Sequence, residues 1–145
     1  MNDSDPDLTE TACLCTLLRQ ASRAISCIYD QMLRDHGLKV TQFAVLSRAD
    51  RMGRSRQSDL GNALYLDVTS LTRALKPLVE SGWLQVTSGA DRREKWISVT
   101  PLGKQKIKDV RPAWRKLQRE IKSRLPEGEW EKLFEILPNV AKTVT

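Results

Sequence analysis

The apolar positions of the chain change period along its length. Between residues 12 and 36, Leu14, Leu18, Ala21, Ile25, Ile28 and Met32 recur at alternating spacings of four and three, the seam of an amphipathic helix that packs on another helix. Gly37 stands where a C-terminal cap belongs. Thr41 is placed to cap a second helix that buries Phe43, Val45 and Leu46, runs to about Met52 and ends at Gly53. Two further helices are expected close together, one from about Arg56 to Leu64. The other is N-capped by Asp67 after a turn at Tyr65 and Leu66, and runs to Ser81. Val68, Leu71, Leu75, Leu78 and Val79 keep helical spacing around Pro77, which removes one hydrogen bond and bends the helix locally.

After Gly82 the period falls to two. Trp83-Leu84-Gln85-Val86 and Trp96-Ile97-Ser98-Val99 read as the strands of a β-hairpin, with the polar run Ser88 to Lys95 as its tip. Thr100-Pro101 marks a helix start, Thr as N-cap and Pro at the first helical position. That helix carries Ile107, Val110, Trp114, Leu117 and Ile121 on one face and a kink expected at Pro112. A last helix from about Glu127 places Trp130, Leu133, Phe134 and Leu137 before Pro138 limits it.

This order predicts a mainly α fold with a small β-hairpin wing (α+β), a winged helix-turn-helix with a helical dimerisation region. One domain is expected over residues 1–145, its DNA-binding region at about 41–100 and its dimerisation region at about 11–36 and 101–145. The outer helices offer more apolar face than one small winged unit needs, and mutual packing in a homodimer would bury it.

Charge narrows the partner. The net charge is +6 with a sequence pI near 9.5, yet the first ten residues hold four acids and no base, so the remainder is more basic still. Between Lys104 and Arg124 stand nine bases against two acids. Such a surface favours polyanions, because each neutralised phosphate releases counterions. No apolar run approaches the ~18 residues of a membrane span and no signal peptide is evident, so a cytoplasmic protein without membrane association is expected. Catalytic signatures are missing: there is one histidine, His36, and no G-x-S-x-G, H-E-x-x-H or Gly-rich phosphate loop. No cofactor and no metal are expected. A cysteine enzyme, or a helical partner protein that does not bind DNA, is the remaining alternative from another class.

Two constellations suit DNA. The helix after Asp67 presents Thr69, Ser70, Thr72 and Arg73, and an Arg can make a bidentate contact to guanine. Taken alone, the hydroxyls serve equally as caps and Arg73 as a surface charge. At the hairpin tip Asp91, Arg92 and Arg93 lie together, where Asp91 can hold a guanidinium by a charge-assisted hydrogen bond and a minor groove can accept it. A solvated turn is the alternative there.

Asp91-Arg92-Arg93 followed by Val99-Thr100-Pro101-Leu102-Gly103 resembles the D-R-R, five residues, L-T-x-x-G wing pattern of the MarR family, with Val99 for the usual Leu. Gln57-Ser58-Asp59-Leu60, Leu71-Thr72-Arg73-Ala74-Leu75 and Gly82-Trp83-Leu84 are similar to that family's helix-turn-helix and first wing strand. The resemblance implies a homodimeric transcriptional regulator on a pseudo-palindromic operator in double-stranded DNA. Thr69, Ser70, Thr72 and Arg73 would face the major groove, and Arg92 or Arg93, oriented by Asp91, the minor groove. It further implies repression relieved by a small phenolic or aromatic ligand, or by cysteine oxidation.

The three cysteines, Cys13, Cys15 and Cys27, all fall on the first predicted helix. On a helix Cys13 and Cys15 point to nearly opposite flanks, and Cys13 and Cys27 stand ~21 Å apart, so no intrahelical disulfide is expected. Leu14-Cys15-Thr16-Leu17-Leu18-Arg19-Gln20-Ala21-Ser22-Arg23 resembles the L-C-x-x-L-x-x-A-S-R segment of the family's organic-peroxide sensors, which puts Cys15 at their reactive position. Arg19 replaces their usual tyrosine, one helical turn from Cys15, where a guanidinium could favour thiolate. Three thiols serving only in helix packing are the alternative.

Overall fold

The computed structural model describes residues 12–145, and the acidic segment at residues 1–10 lies outside the described residues. The elements are α1 (Leu14–Leu33), a 3-10 turn (Arg34–His36), α2 (Val40–Met52), β1 (Ser55–Arg56), α3 (Gln57–Leu64), α4 (Val68–Glu80), β2 (Leu84–Ser88), β3 (Lys95–Val99), α5 (Pro101–Arg124) and α6 (Glu129–Val144). The chain is mainly helical with one small antiparallel sheet in the order β1-β3-β2. Two compact units divide it within α5, one up to Val110 and one from Arg111. None of the described helices is long and apolar enough to cross a membrane.

In the first unit, Leu33, Leu46, Leu60, Leu78, Leu84 and Ile97 are fully buried. They come from α1 to α4 and both hairpin strands, so the helix-turn-helix and the wing share one core. Val68 and Val79 keep the helical period of α4 but stand outside this core, Val68 at 79% exposure. The capping of α2 differs from the sequence expectation. The helix starts at Val40, and Thr41 lies inside it. The carboxylate of Asp30 on α1 accepts from the Val40 N–H at 2.7 Å, and the Gln42 side chain accepts from the Lys39 N–H at 3.0 Å. A tertiary partner therefore satisfies a helix end that a local hydroxyl was expected to cap.

The turn between α3 and α4 is tight. Tyr65 adopts a left-handed φ of 54°, and the Leu66 N–H donates to the Gly61 carbonyl at 3.0 Å. A Cβ on Gly61 would lie 3.3 Å from both the Leu66 oxygen and Leu71 Cδ2, so the two helices approach where only hydrogen stands between them.

β1 is the strand that the sequence does not announce. Ser55 pairs with Ile97 and Arg56 with Trp96, while β2 pairs with β3 from Leu84 opposite Val99 to Ser88 opposite Lys95. The alternation sends Ile97 into the core and its neighbour Trp96 to the other face. The hairpin base is locked to α5. Thr100 donates from its N–H to the Trp83 carbonyl at 3.1 Å and from its hydroxyl to the Gly82 carbonyl at 2.5 Å, and its hydroxyl accepts from the Gly103 N–H at 3.0 Å. A Cβ on Gly103 would stand 2.1 Å from the Trp83 oxygen. The Thr-x-x-Gly spacing thus has a mechanical reason: the first turn of α5 rests directly on strand backbone.

In the second unit, the last turns of α5 lead into α6. Lys122 pairs with Glu131, whose carboxyl is held below its usual range chiefly by that hydrogen bond. The Trp130 and Phe134 rings stack at 4.8 Å with a 44° tilt. Pro138 was expected to limit this helix, yet α6 continues to Val144 with Pro138 inside it. Proline removes one N–H; the residues beyond it still have helical partners, and the Thr143 and Thr145 hydroxyls donate back to the Asn139 and Ala141 carbonyls.

Candidate nucleic-acid interface

The chemistry presented by α4 follows from how it is anchored. Leu71, Leu75 and Leu78 root one stripe of the helix in the core, which leaves Thr69, Thr72 and Arg73 exposed. Asp67 caps the helix, its carboxylate accepting from the Ser70 N–H at 2.7 Å. That bond, aided by the Ser70 hydroxyl and the Arg73 charge, holds the Asp67 carboxyl below its usual range. Ser70 is half-buried and engaged in the cap. The Thr72 hydroxyl donates to the Val68 carbonyl at 2.7 Å, which leaves its oxygen lone pairs to accept from a ligand. Of the four α4 residues singled out in the sequence, Thr69 and Arg73 are thus the freest.

At the wing tip Asp91, Arg92 and Arg93 are exposed. Asp91 does not hold a guanidinium. Its carboxylate accepts from the Arg93 backbone N–H at 3.0 Å and its carbonyl from the Glu94 N–H at 3.0 Å, while Gly89 N–H closes the loop on the Glu94 carbonyl at 2.9 Å. A short acid two residues before an N–H prefers this local turn to a long, rotamer-rich guanidinium. Asp91 therefore shapes the tip, and Arg92 and Arg93 extend from it without a carboxylate partner among the described residues.

An open groove of about 450 Å³ joins the two elements. Val68 and Thr72 of α4 line one side, Arg93, Glu94 and Lys95 of the wing another, and Arg56, Gln57, Ser58 and Asn62 of β1 and α3 its remaining wall. The structure thus brings Thr72 and Arg93 to one surface across twenty-one positions of sequence. Thr69, Ser70, Arg73, Asp91 and Arg92 lie outside the groove lining. Arg56, Lys95 and Asn62 were not singled out in the sequence. The alternation Arg54-Ser55-Arg56 was the available signal, but two residues of strand are too short to show a period.

Cys13 is not on α1. It is the N-cap, in extended conformation, so the helical geometry that set Cys13 and Cys15 on opposite flanks does not govern this pair. All three thiols are free and exposed. The Thr16 amide, then its hydroxyl and the Cys15 amide, hold the Cys13 thiol below its ordinary value. No group of three metal-ligating side chains is assembled among the described residues.

Comparison with known proteins agrees with this geometry. The family model described as MarR family matches residues 38–95. An HTH-type transcriptional regulator of Bacillus subtilis, YwoH, is 28% identical over 104 residues, 72% of this chain and 76% of the relative. The M. tuberculosis transcriptional regulator MosR, solved in complex with DNA, superposes with a TM-score of 0.81 at 31% identity, over 91% of this chain and 96% of that one. AbfR, solved in reduced form bound to DNA, superposes with a TM-score of 0.71 at 28% identity over 91% of each chain. With its helix-turn-helix, wing and fold all matched, this chain belongs to the MarR family of winged helix-turn-helix DNA-binding transcriptional regulators, and is not an enzyme.

Proposed function

We propose that the chain works as a homodimer that represses transcription from a pseudo-palindromic operator and is released by a small phenolic or aromatic ligand. α4 enters the major groove with Thr69, Ser70, Thr72 and Arg73 toward base edges and phosphates, and Arg92 or Arg93 of the wing enters the neighbouring minor groove. The single observation that carries the reading is the groove that joins Thr72 to Arg93, since it puts a recognition helix and a basic wing tip on one face. That the similar MosR is solved in complex with DNA supports DNA as the partner. Dimerisation is supported by apolar residues that stay exposed on α1 and α6, with Leu14 at 60% and Phe134 at 61%. In a two-fold dimer the half-sites stand one DNA turn or a multiple apart.

The test is selection of bound duplexes from a random-sequence pool, followed by anisotropy titrations with phenolic acids added. Enrichment of an inverted repeat, released by at least one such acid, is expected. An enriched sequence without two-fold symmetry would overturn the dimeric mode.

A second reading puts the signal on thiol oxidation at Cys15. It is favoured by the exposure of Cys13 and Cys15 beside the start of α1 and by the DNA complex of reduced AbfR. Stoichiometric organic hydroperoxide should then release the DNA from wild type and spare the Cys15→Ser variant. Release that persists in Cys15→Ser but not in Cys13→Ser would move the sensor to the helix cap.

A further inference from the structure

The outer face of the wing sheet carries a stack that neither the recognition helix nor the wing tip accounts for. Trp96 faces away from the core, opposite Arg56 in the β1–β3 register. The Arg54 guanidinium lies over its ring at 4.3 Å from the centroid, and the Arg56 guanidinium at 5.5 Å. Arg56 is also tied to Glu94 at 3.2 Å. Arg54 has no carboxylate within ion-pair distance among the described residues.

Stacking occupies the face of a guanidinium and leaves its in-plane N–H donors pointing outward. Trp96 thus holds the Arg54 guanidinium against its ring while no carboxylate among the described residues pairs with it. Glu94, by contrast, consumes part of the edge of Arg56 and holds that side chain at the groove. A long arginine fixed in this way loses less side-chain entropy on binding than a free one.

The position of the stack identifies what it meets. Arg56 and Glu94 line the groove between α4 and the wing tip, while Arg54 and Trp96 lie outside that lining and adjoin it through the ring that both arginines share. A recognition helix in the major groove and a wing tip in the adjacent minor groove necessarily straddle the sugar–phosphate strand that separates the two grooves. The surface between them faces phosphates, not bases. We propose that Arg54 and Arg56, positioned by Trp96 and Glu94, form a phosphate-binding site for this intervening DNA strand, with Arg54 making the principal contact and Trp96 acting as a positioning residue. The assignment rests on the DNA-binding mode proposed above and adds to it a site at the entries to β1 and β3.

The experiment measures binding of the full chain to the duplex recovered from random-sequence selection, and to an unselected random duplex, over 50 to 200 mM salt. Circular dichroism establishes that each variant is folded. Arg54→Gln should weaken both duplexes alike and lower the slope of log K against log salt by about 0.9 per chain, so that wild type loses about 3.5-fold more affinity per chain across that range. Trp96→Leu, which keeps every charge, should show the same loss of slope, and Trp96→Phe should restore it by returning an aromatic face. A folded Arg54→Gln with the wild-type slope overturns the proposal, as does weakening confined to the selected duplex, which would mark base reading. A Trp96→Leu variant with an unchanged slope overturns the positioning role. Failure of the wild type to enrich any duplex would instead sink the DNA-binding mode itself.

Discussion

α4 and α6 are amphipathic helices of similar length and opposite fate. On α4 the apolar stripe Leu71, Leu75 and Leu78 is buried within its own unit. On α6 Leu133, Phe134, Ile136 and Leu137 remain exposed. The helix-turn-helix and wing therefore close their core within one chain, whereas α6 carries an apolar face without a partner among the described residues. The difference teaches where to look for each level of function: base and phosphate contacts on a region that is structurally complete, and assembly on a region that is not.

The most drastic way to break this comparison is a charge on the incomplete side. Leu133→Asp should abolish dimerisation and with it tight operator binding, as read by sedimentation and anisotropy. A wild-type chain that sediments as a folded, concentration-independent monomer would remove the contrast altogether. On the complete side, Leu78→Ala should destabilise the winged unit by about 2–5 kcal/mol, measured by denaturant unfolding, because it opens a cavity in a fully buried site. If the two regions are as separate as proposed, its folded fraction still dimerises.

A smaller effect separates the two DNA-facing elements. Arg73→Ala should cost about 1–3 kcal/mol of discrimination at the preferred operator, while Arg93→Ala should weaken all sequences evenly and lower the salt slope by about 1. Identical behaviour of the two variants would show that helix and wing do not divide the work.

The smallest effect concerns the cap of α4. The Asp67 carboxyl is held below its usual range in the folded chain, so its contribution is present above the ordinary carboxylate range and is lost as pH falls through the lowered folded value. Melting temperatures of wild type and Asp67→Asn, followed from neutral to acid pH, should differ more at neutrality and converge on acidification. A difference that stays constant with pH would mean the ionised cap contributes nothing.

Much of this was legible in the sequence where partners are close along the chain. The periods of α1, α4 and α5 and the cap at Asp67 depend on residues within a turn or two, as does the Thr100 start of α5. What escaped depends on distant partners. β1 exists because Trp96 and Ile97 arrive beside Ser55 and Arg56. Asp30 replaces the expected Thr41 cap because α1 packs next to the start of α2. The groove gathers Arg56, Thr72 and Arg93 from three separate elements, and no spacing rule relates them. At Asp91 the local partner is the nearer one, since the backbone N–H of Arg93 two residues away, and not a guanidinium, donates to its carboxylate.

The seat of α5 on the wing has a mechanical consequence. At Gly103 there is no side chain to act as a cushion, and the two hydrogen bonds from Thr100 to the Gly82 and Trp83 carbonyls pin the helix start to the strand. Neither sliding nor rolling of this joint is possible without breaking those bonds, so up to Val110 the helix and the wing form one lever.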